Sequence, residues 1–221
     1  MGGILVAIDG PAGSGKSSVA RAVAGRLGVV NLNTGAAYRA AALLALDEGV
    51  DLEDGVGLAA LARRVELDPE GASIDGVRIG ERELRSPEVS AAASKVSTHA
   101  PLREVLLPVQ RTAAEKARAQ AGAVVEGRDI GTVVLPNAEL KVYLSAAPEE
   151  RARRRASQTG REGELDRIRA AIARRDRQDS EREVSPLKPA ADAVVLDTTS
   201  LSLEEVILRV LDLATELCEG T

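Results

Sequence analysis

Apolar and polar positions along the 221-residue chain alternate between short continuous runs and stripes at helical spacing. The first run, Ile4-Leu-Val-Ala-Ile8, has the length of a buried strand and stops at Asp9. From Lys16 to Leu27, the residues Val19, Ala20, Val23, Ala24 and Leu27 form one helical face, and Gly28 is a natural stop. Val29-Val-Asn-Leu32 then reads as a second strand. A strand, helix, strand order implies a right-handed crossover and a parallel sheet. Asn33-Thr34-Gly35 can cap the next helix, Ala36 to Glu48, and Asp51 to Arg64 predicts another.

The period then changes. Val65-Glu-Leu-Asp68, Ala72-Ser-Ile-Asp-Gly76 and Val77-Arg-Ile-Gly80 alternate apolar and polar residues between turn signals, which predicts a small antiparallel hairpin region inserted into the α/β chain. Ser86-Pro87-Glu88 opens a capped helix through Val96. A further helix follows Pro101 with Leu102, Val105, Leu106 and Val109 on one face and Arg103 on its polar face. Ala123 to Glu126, Leu140 to Leu144 and Ala193 to Leu196 supply three more strands, and a last helix runs from Leu203 to Leu213 and beyond. The expected architecture is α/β, with a five-stranded parallel sheet flanked by helices.

Composition sharpens this picture. Apolar residues are 44% of the chain, yet Tyr38 and Tyr143 are its only aromatics, so Ala, Val, Leu and Ile must build the core. That scarcity removes the stacking platform of single-stranded nucleic-acid binders, and a net charge of −5 argues against general polyanion binding. No run approaches about 20 apolar residues, and the N-terminus has no charged region ahead of an apolar stretch of signal-peptide length, so neither membrane spanning nor export is expected. The lone Cys218 cannot form an intrachain disulfide and fits a reducing compartment. A cytoplasmic monomer that binds neither nucleic acid nor membrane is expected.

Charge is nonetheless concentrated. Eleven of the 24 arginines fall between Arg151 and Arg182, on two predicted helices separated by Gly160 and Gly163. Many can pair with nearby Glu, but the preference for Arg over Lys suits planar clamping of phosphate oxygens, which predicts a hinged, arginine-rich lid.

Candidate chemistry begins directly after the first strand, where Gly10-Pro-Ala-Gly-Ser-Gly-Lys-Ser17 fits the phosphate-loop pattern G-x-x-x-x-G-K-[ST]. Its glycines let backbone N–H groups approach phosphate oxygens at a helix N-terminus. Lys16 would reach the β and γ oxygens of a polyphosphate, and the Ser17 hydroxyl would help hold Mg2+. Arg39 lies in the first turns of the following helix, near the carboxyl end of the second strand, and Arg128 and Asp129 lie just beyond the third, where open α/β sheets bind ligands. The alternative for the last two is an ion pair within a turn.

With these residues in view, the chain resembles the bacterial cytidylate kinases, P-loop enzymes that phosphorylate CMP and dCMP with ATP. The resemblance runs from Ile8-Asp-Gly-Pro-Ala-Gly-Ser-Gly-Lys-Ser17 through Thr34-Gly-Ala-Ala-Tyr-Arg39 and Glu126-Gly-Arg-Asp-Ile-Gly-Thr-Val-Val134 to Ala190-Ala-Asp-Ala-Val-Val-Leu-Asp197. It implies ATP contacts from Gly10, Pro11, Ala12, Gly13, Ser14, Gly15, Lys16, Ser17 and Ser18, with Arg151 and Arg154 in the lid. It implies CMP contacts from Thr34, Arg39, Ser94, Arg103, Arg128, Asp129, Arg175, Asp179 and Arg182. Lys16, Arg128, Arg175 and Arg182 would neutralise the transferring group. It further implies a P-loop core of residues 1–32, 121–149 and 184–221, a monophosphate-binding subdomain of residues 33–120 carrying the small antiparallel sheet, and a lid of residues 150–183. Asn33 stands where the family usually has Asp, and Gln178 and Ser180 replace residues usually charged.

Other readings remain distinguishable. Another monophosphate or small-metabolite kinase would share the loop. A GTP switch would need Asn-Lys-x-Asp, and the chain contains no Asn-Lys pair.

Overall fold

The computed structural model describes residues 3–219. The side chain of Cys218 lies outside the described ones. Strand β1 (Ile4–Asp9) is followed by helix α1 (Lys16–Leu27), β2 (Val30–Asn33) and α2 (Gly35–Glu48). Then come α3 (Gly55–Ala62), the short strands β3 (Val65–Asp68), β4 (Gly71–Ile74) and β5 (Val77–Arg78), and α4 (Glu81–Leu84), α5 (Pro87–Val96) and α6 (Ala100–Gln120). The chain returns to the sheet with β6 (Gly122–Glu126), makes a π-helical turn over Ile130–Val134, and continues through β7 (Leu140–Ser145). Helices α7 (Pro148–Thr159) and α8 (Leu165–Glu181) form a hairpin before β8 (Val194–Asp197) and α9 (Leu203–Glu219).

Five strands make one parallel sheet in the order β2-β6-β1-β7-β8, and β3-β4-β5 make a separate antiparallel sheet. Strand β1 is central, paired with β6 and β7, and both of its faces are covered, which is why it reads as an unbroken apolar run. Leu5 and Ala7 pack on one side with Leu32, Val125 and residues of α2, α3, α5 and α6. Val6 and Ile8 pack on the other with Val19, Val23, Leu144 and the α9 residues Val206, Ile207 and Val210. A small cluster of Ala152, Ala156, Ile168 and Ile172 joins α7 to α8, and Gly160 ends α7 in a left-handed cap. No helix among the described residues is long and apolar enough to cross a membrane.

The predicted elements are present, with three local corrections. The helix expected from Asp51 starts only at Gly55, because Asp54 accepts N–H bonds from Val56 and Gly57 and so caps it there, while Asp51 accepts that of Glu53 in the preceding turn. Thr34 occupies the N-cap position of α2 without capping it, since its hydroxyl donates to the Glu126 carbonyl at 2.8 Å. Arg103 lies not on a solvated face of α6 but 6% exposed, drawn inward by a buried carboxylate.

Leu144 is fully buried between the sheet and α9. Leu144→Ala is expected to cost about 2–5 kcal/mol of stability, read as a lowered urea midpoint at unchanged m value.

Candidate active site

The site forms at the carboxyl edge of the parallel sheet, where β1, β2 and β6 end side by side. Ile8 lies opposite Glu126, and the N–H of Gly127 donates to the Ile8 carbonyl at 3.0 Å. The loop from Gly10 to Gly15 therefore passes directly beside the turn that follows β6. Gly10 has φ of 147°, and a Cβ there would lie 2.1 Å from the Leu144 carbonyl oxygen, so only glycine admits the loop at this point. Gly15 is the N-cap of α1 and brings no side-chain cap, which leaves the helix N-terminus for an external acceptor.

Lys16 and Ser17 both turn inward. Lys16, 6% exposed, donates to the Pro11 carbonyl at 2.8 Å and lies 3.4 Å from Ser14 Oγ. Burial, reinforced by the charge of Arg128, holds its ammonium pKa well below the usual lysine range. Ser17 Oγ donates to Glu126 Oε2 at 2.7 Å, and Glu126 is only 4% exposed. Ser18 N donates to Gly15 O as the first turn of α1 closes.

Asp9, at the last position of β1, accepts the N–H groups of Ile130 at 2.9 Å and Gly131 at 2.8 Å. Those bonds favour the charged form, but burial outweighs them and raises the Asp9 carboxyl to about 6. The π-helical turn, and with it Arg128 and Asp129, is anchored to the end of β1 by this side chain. Gly127 permits a second close approach, because a Cβ there would meet Thr34 Oγ1 at 2.7 Å.

Arg128 and Asp129 do not pair with each other within the turn. Arg128 Nε donates to Asp179 Oδ2 of α8 at 2.9 Å, whereas Asp129 is ion-paired with Arg103 and lies 3.6 Å from Arg182 Nη2. Arg103 also donates to the Ser97 carbonyl at 3.1 Å, and its guanidinium sits 5.4 Å from the Tyr38 ring centroid. Arg182 donates through Nε to the Ser185 carbonyl. Ser94 meets Gln178 of α8, whose Nε2 donates to the Ser94 carbonyl at 2.7 Å.

Arg175 approaches Asp179 only at 4.0 Å, and its Nε is a buried donor without a hydrogen-bond partner among the described residues, as are Arg103 Nε and Arg182 Nη2. Burial and the charge of Arg128 push Arg175 down to about 10. Arg39 is likewise lowered to about 10, by burial and by the charges of Arg175, Arg85 and Arg128. Six cations, Lys16, Arg39, Arg103, Arg128, Arg175 and Arg182, thus face four carboxylates, Asp9, Glu126, Asp129 and Asp179.

The helical hairpin rests on the loop. Arg151 donates to the Ala12 carbonyl at 3.0 Å and pairs with Asp176, which in turn accepts the Ala12 N–H at 3.0 Å. Arg154 binds Glu150 at 2.8 Å and the Thr198 hydroxyl and carbonyl at 2.9 and 2.6 Å. Contacts and charge interactions thus bring Lys16, Ser17, Thr34, Arg39, Arg128, Asp129, Arg175, Asp179 and Arg182 together at this edge, with Arg103 joined through Asp129 and Ser94 through Gln178. Sequence reasoning assigned no role at the site to Asp9, Glu126, Asp176 or Gln178. The polar residues that end buried strands, Asp9 and Glu126, carried a usable signal.

A phosphate loop at the end of a central parallel strand, faced by an incompletely neutralised arginine cluster, defines a P-loop phosphotransferase. Residues 6–216 match the family model described as cytidylate kinase, and the chain belongs to that family. It is 46% identical to a cytidylate kinase of Exiguobacterium sibiricum over 98% of this chain and 97% of that one. It is also 46% identical to one from Geobacter sp. over 93% and 90% of the two chains, and to one from Geobacillus kaustophilus over 96% and 97%.

Asp9 gives the site a pH signature. Its folded pKa of about 6 exceeds the ordinary value of 3.8, so between these limits the folded state binds the extra proton and stability falls as pH rises. Relative to Asp9→Asn, which lacks this titration, the wild type is expected to lose up to about 3 kcal/mol between pH 4 and 7, measured by urea denaturation across that range.

Proposed function

We propose that the chain transfers the γ-phosphoryl group of ATP to CMP and dCMP, giving CDP and dCDP. Family membership over nearly the whole chain supports this reading. The observation that carries the chemistry is the charge cluster at the sheet edge, where cations outnumber carboxylates and buried guanidinium donors lack hydrogen-bond partners among the described residues. Such groups are costly unless an anion completes them.

In this reading the donor polyphosphate lies along residues 10–18, with Lys16 exchanging the Pro11 carbonyl for phosphate oxygens and Arg151 and Arg154 alongside. Thr34, Arg39, Arg128, Arg175 and Arg182 hold the acceptor phosphate, and Asp129 holds Arg103 and Arg182 in position. Ser94, Arg103 and Asp179 read the cytosine by hydrogen bonds, since the chain has too few aromatics to read it by stacking. Residues 1–32, 121–149 and 184–221 act as the core, residues 33–120 as the acceptor-binding subdomain, and residues 150–183 as the lid.

Ser17 and Glu126 suit a magnesium ion, because both present hard oxygen donors at the N-terminus of α1. No group of three or more His, Cys, Asp or Glu among the described residues forms a metal cage, so phosphate oxygens and water would complete the coordination. When bound, the ion contributes charge neutralisation on the phosphates. The acceptor phosphate is already largely ionised at neutral pH, with a second pKa near 6, so no general base is needed. The single histidine, His99, is engaged with the Leu52 carbonyl at 2.8 Å. Catalysis then rests on alignment and on cations preset where charge builds up.

A coupled assay with ATP across CMP, dCMP, UMP, AMP and shikimate tests the assignment. CMP and dCMP are expected to be used far better than the others, and equal use of AMP or shikimate would overturn it. Arg128→Ala is expected to lower kcat/KM for CMP by about 10³-fold.

A further inference from the structure

Gln178 sits on α8 one residue ahead of Asp179, the carboxylate that holds Arg128. Its side chain reaches 84 residues back along the sequence to α5, where Nε2 donates to the Ser94 carbonyl at 2.7 Å and Oε1 lies 3.5 Å from Ser94 Oγ. The carbonyl can only accept, so it must meet the NH₂ end of the amide. That leaves Gln178 Oε1, which cannot donate, facing the Ser94 hydroxyl. The same carbonyl also accepts Ser97 Oγ at 2.9 Å, and the Ser97 carbonyl accepts Arg103, so the segment bearing Ser94 is tied down on both sides.

A serine hydroxyl alone distinguishes poorly between cytosine and uracil. It carries one proton and two lone pairs, and it rotates to donate to the uracil carbonyl oxygen or to accept from the cytosine amine. A fixed acceptor beside it removes that freedom. We infer that Gln178 is a specificity-determining positioning residue: by accepting the Ser94 proton it leaves Ser94 Oγ as an acceptor, matched to the exocyclic amine of cytosine and opposed to the carbonyl oxygen of uracil. The inference rests on the function proposed above and on Ser94 as a base contact. It also makes discrimination depend on α8 lying against α5, because the amide that orients the hydroxyl comes from the other helix.

The test is a double-mutant cycle read as the ratio of kcat/KM for CMP to that for UMP, with ATP as donor. Gln178→Met removes the acceptor at nearly constant length, and Gln178→Ala is a second, independent truncation. Each is expected to lower the ratio by roughly 3- to 10-fold, the worth of one hydrogen bond. Ser94→Ala should lower it to a similar degree, and adding Gln178→Met to Ser94→Ala should lower it no further. A purely structural role for Gln178 would reduce both substrates together and leave the ratio alone. An unchanged ratio in both Gln178 variants of a CMP-preferring wild type overturns the inference, as does a full additional loss in the Ser94→Ala background. A wild type that phosphorylates neither pyrimidine monophosphate overturns the functional reading and the inference with it.

Discussion

The parallel register that sets Ile8 of β1 against Glu126 of β6 is the constraint from which the site follows. Because the two strands end at the same level, the phosphate loop leaving β1 and the turn leaving β6 emerge side by side. Ser17 then meets Glu126, and Asp9 reaches the backbone N–H groups of Ile130 and Gly131. A slip of one residue would swap the covered faces onto which Val124 and Val125 pack and carry Glu126 away from its place opposite Ile8 and beside Ser17. The packing that makes the sheet stable therefore also holds the register that aligns the chemistry.

Around that edge the charges are arranged in an uneven way. Asp129 holds Arg103 and Arg182, Asp179 holds Arg128, and Asp176 holds Arg151, so these buried or half-buried guanidinium groups each have a carboxylate beside them. Arg175 reaches Asp179 only at 4.0 Å, Arg39 lies in the field of Arg175, Arg85 and Arg128, and Lys16 falls back on a carbonyl oxygen. The fold thus tolerates a local excess of positive charge, which costs stability. Residues that look alike in sequence consequently differ in role: Arg151 and Arg154 brace the hairpin against the loop and β8, while Arg175 keeps an unpartnered donor.

Much of this is legible in the sequence alone. The unbroken apolar runs, the helical stripes, the alternating hairpin stretch and the loop from Gly10 to Ser17 announced the α/β class and the location of the phosphate site. These are local properties of the backbone and of burial, and they survive being read one segment at a time. Less visible were Asp9, Glu126 and Gln178. Each acts through a partner more than eighty residues away, and nothing in its own neighbourhood names that partner.

Sequence by itself determined the elements, the parallel sheet, the phosphate-binding loop and the supply of arginines, because period, glycine placement and side-chain chemistry are written residue by residue. Only the tertiary structure decided which arginine is neutralised and which is not, that Arg128 and Asp129 part company to pair with α8 and α6, and that Thr34 binds a strand end and does not cap its helix. The physical reason is that hydrogen bonds and charges act over a few ångströms. Which groups come that close is set by how β1, β6, α5 and α8 pack together.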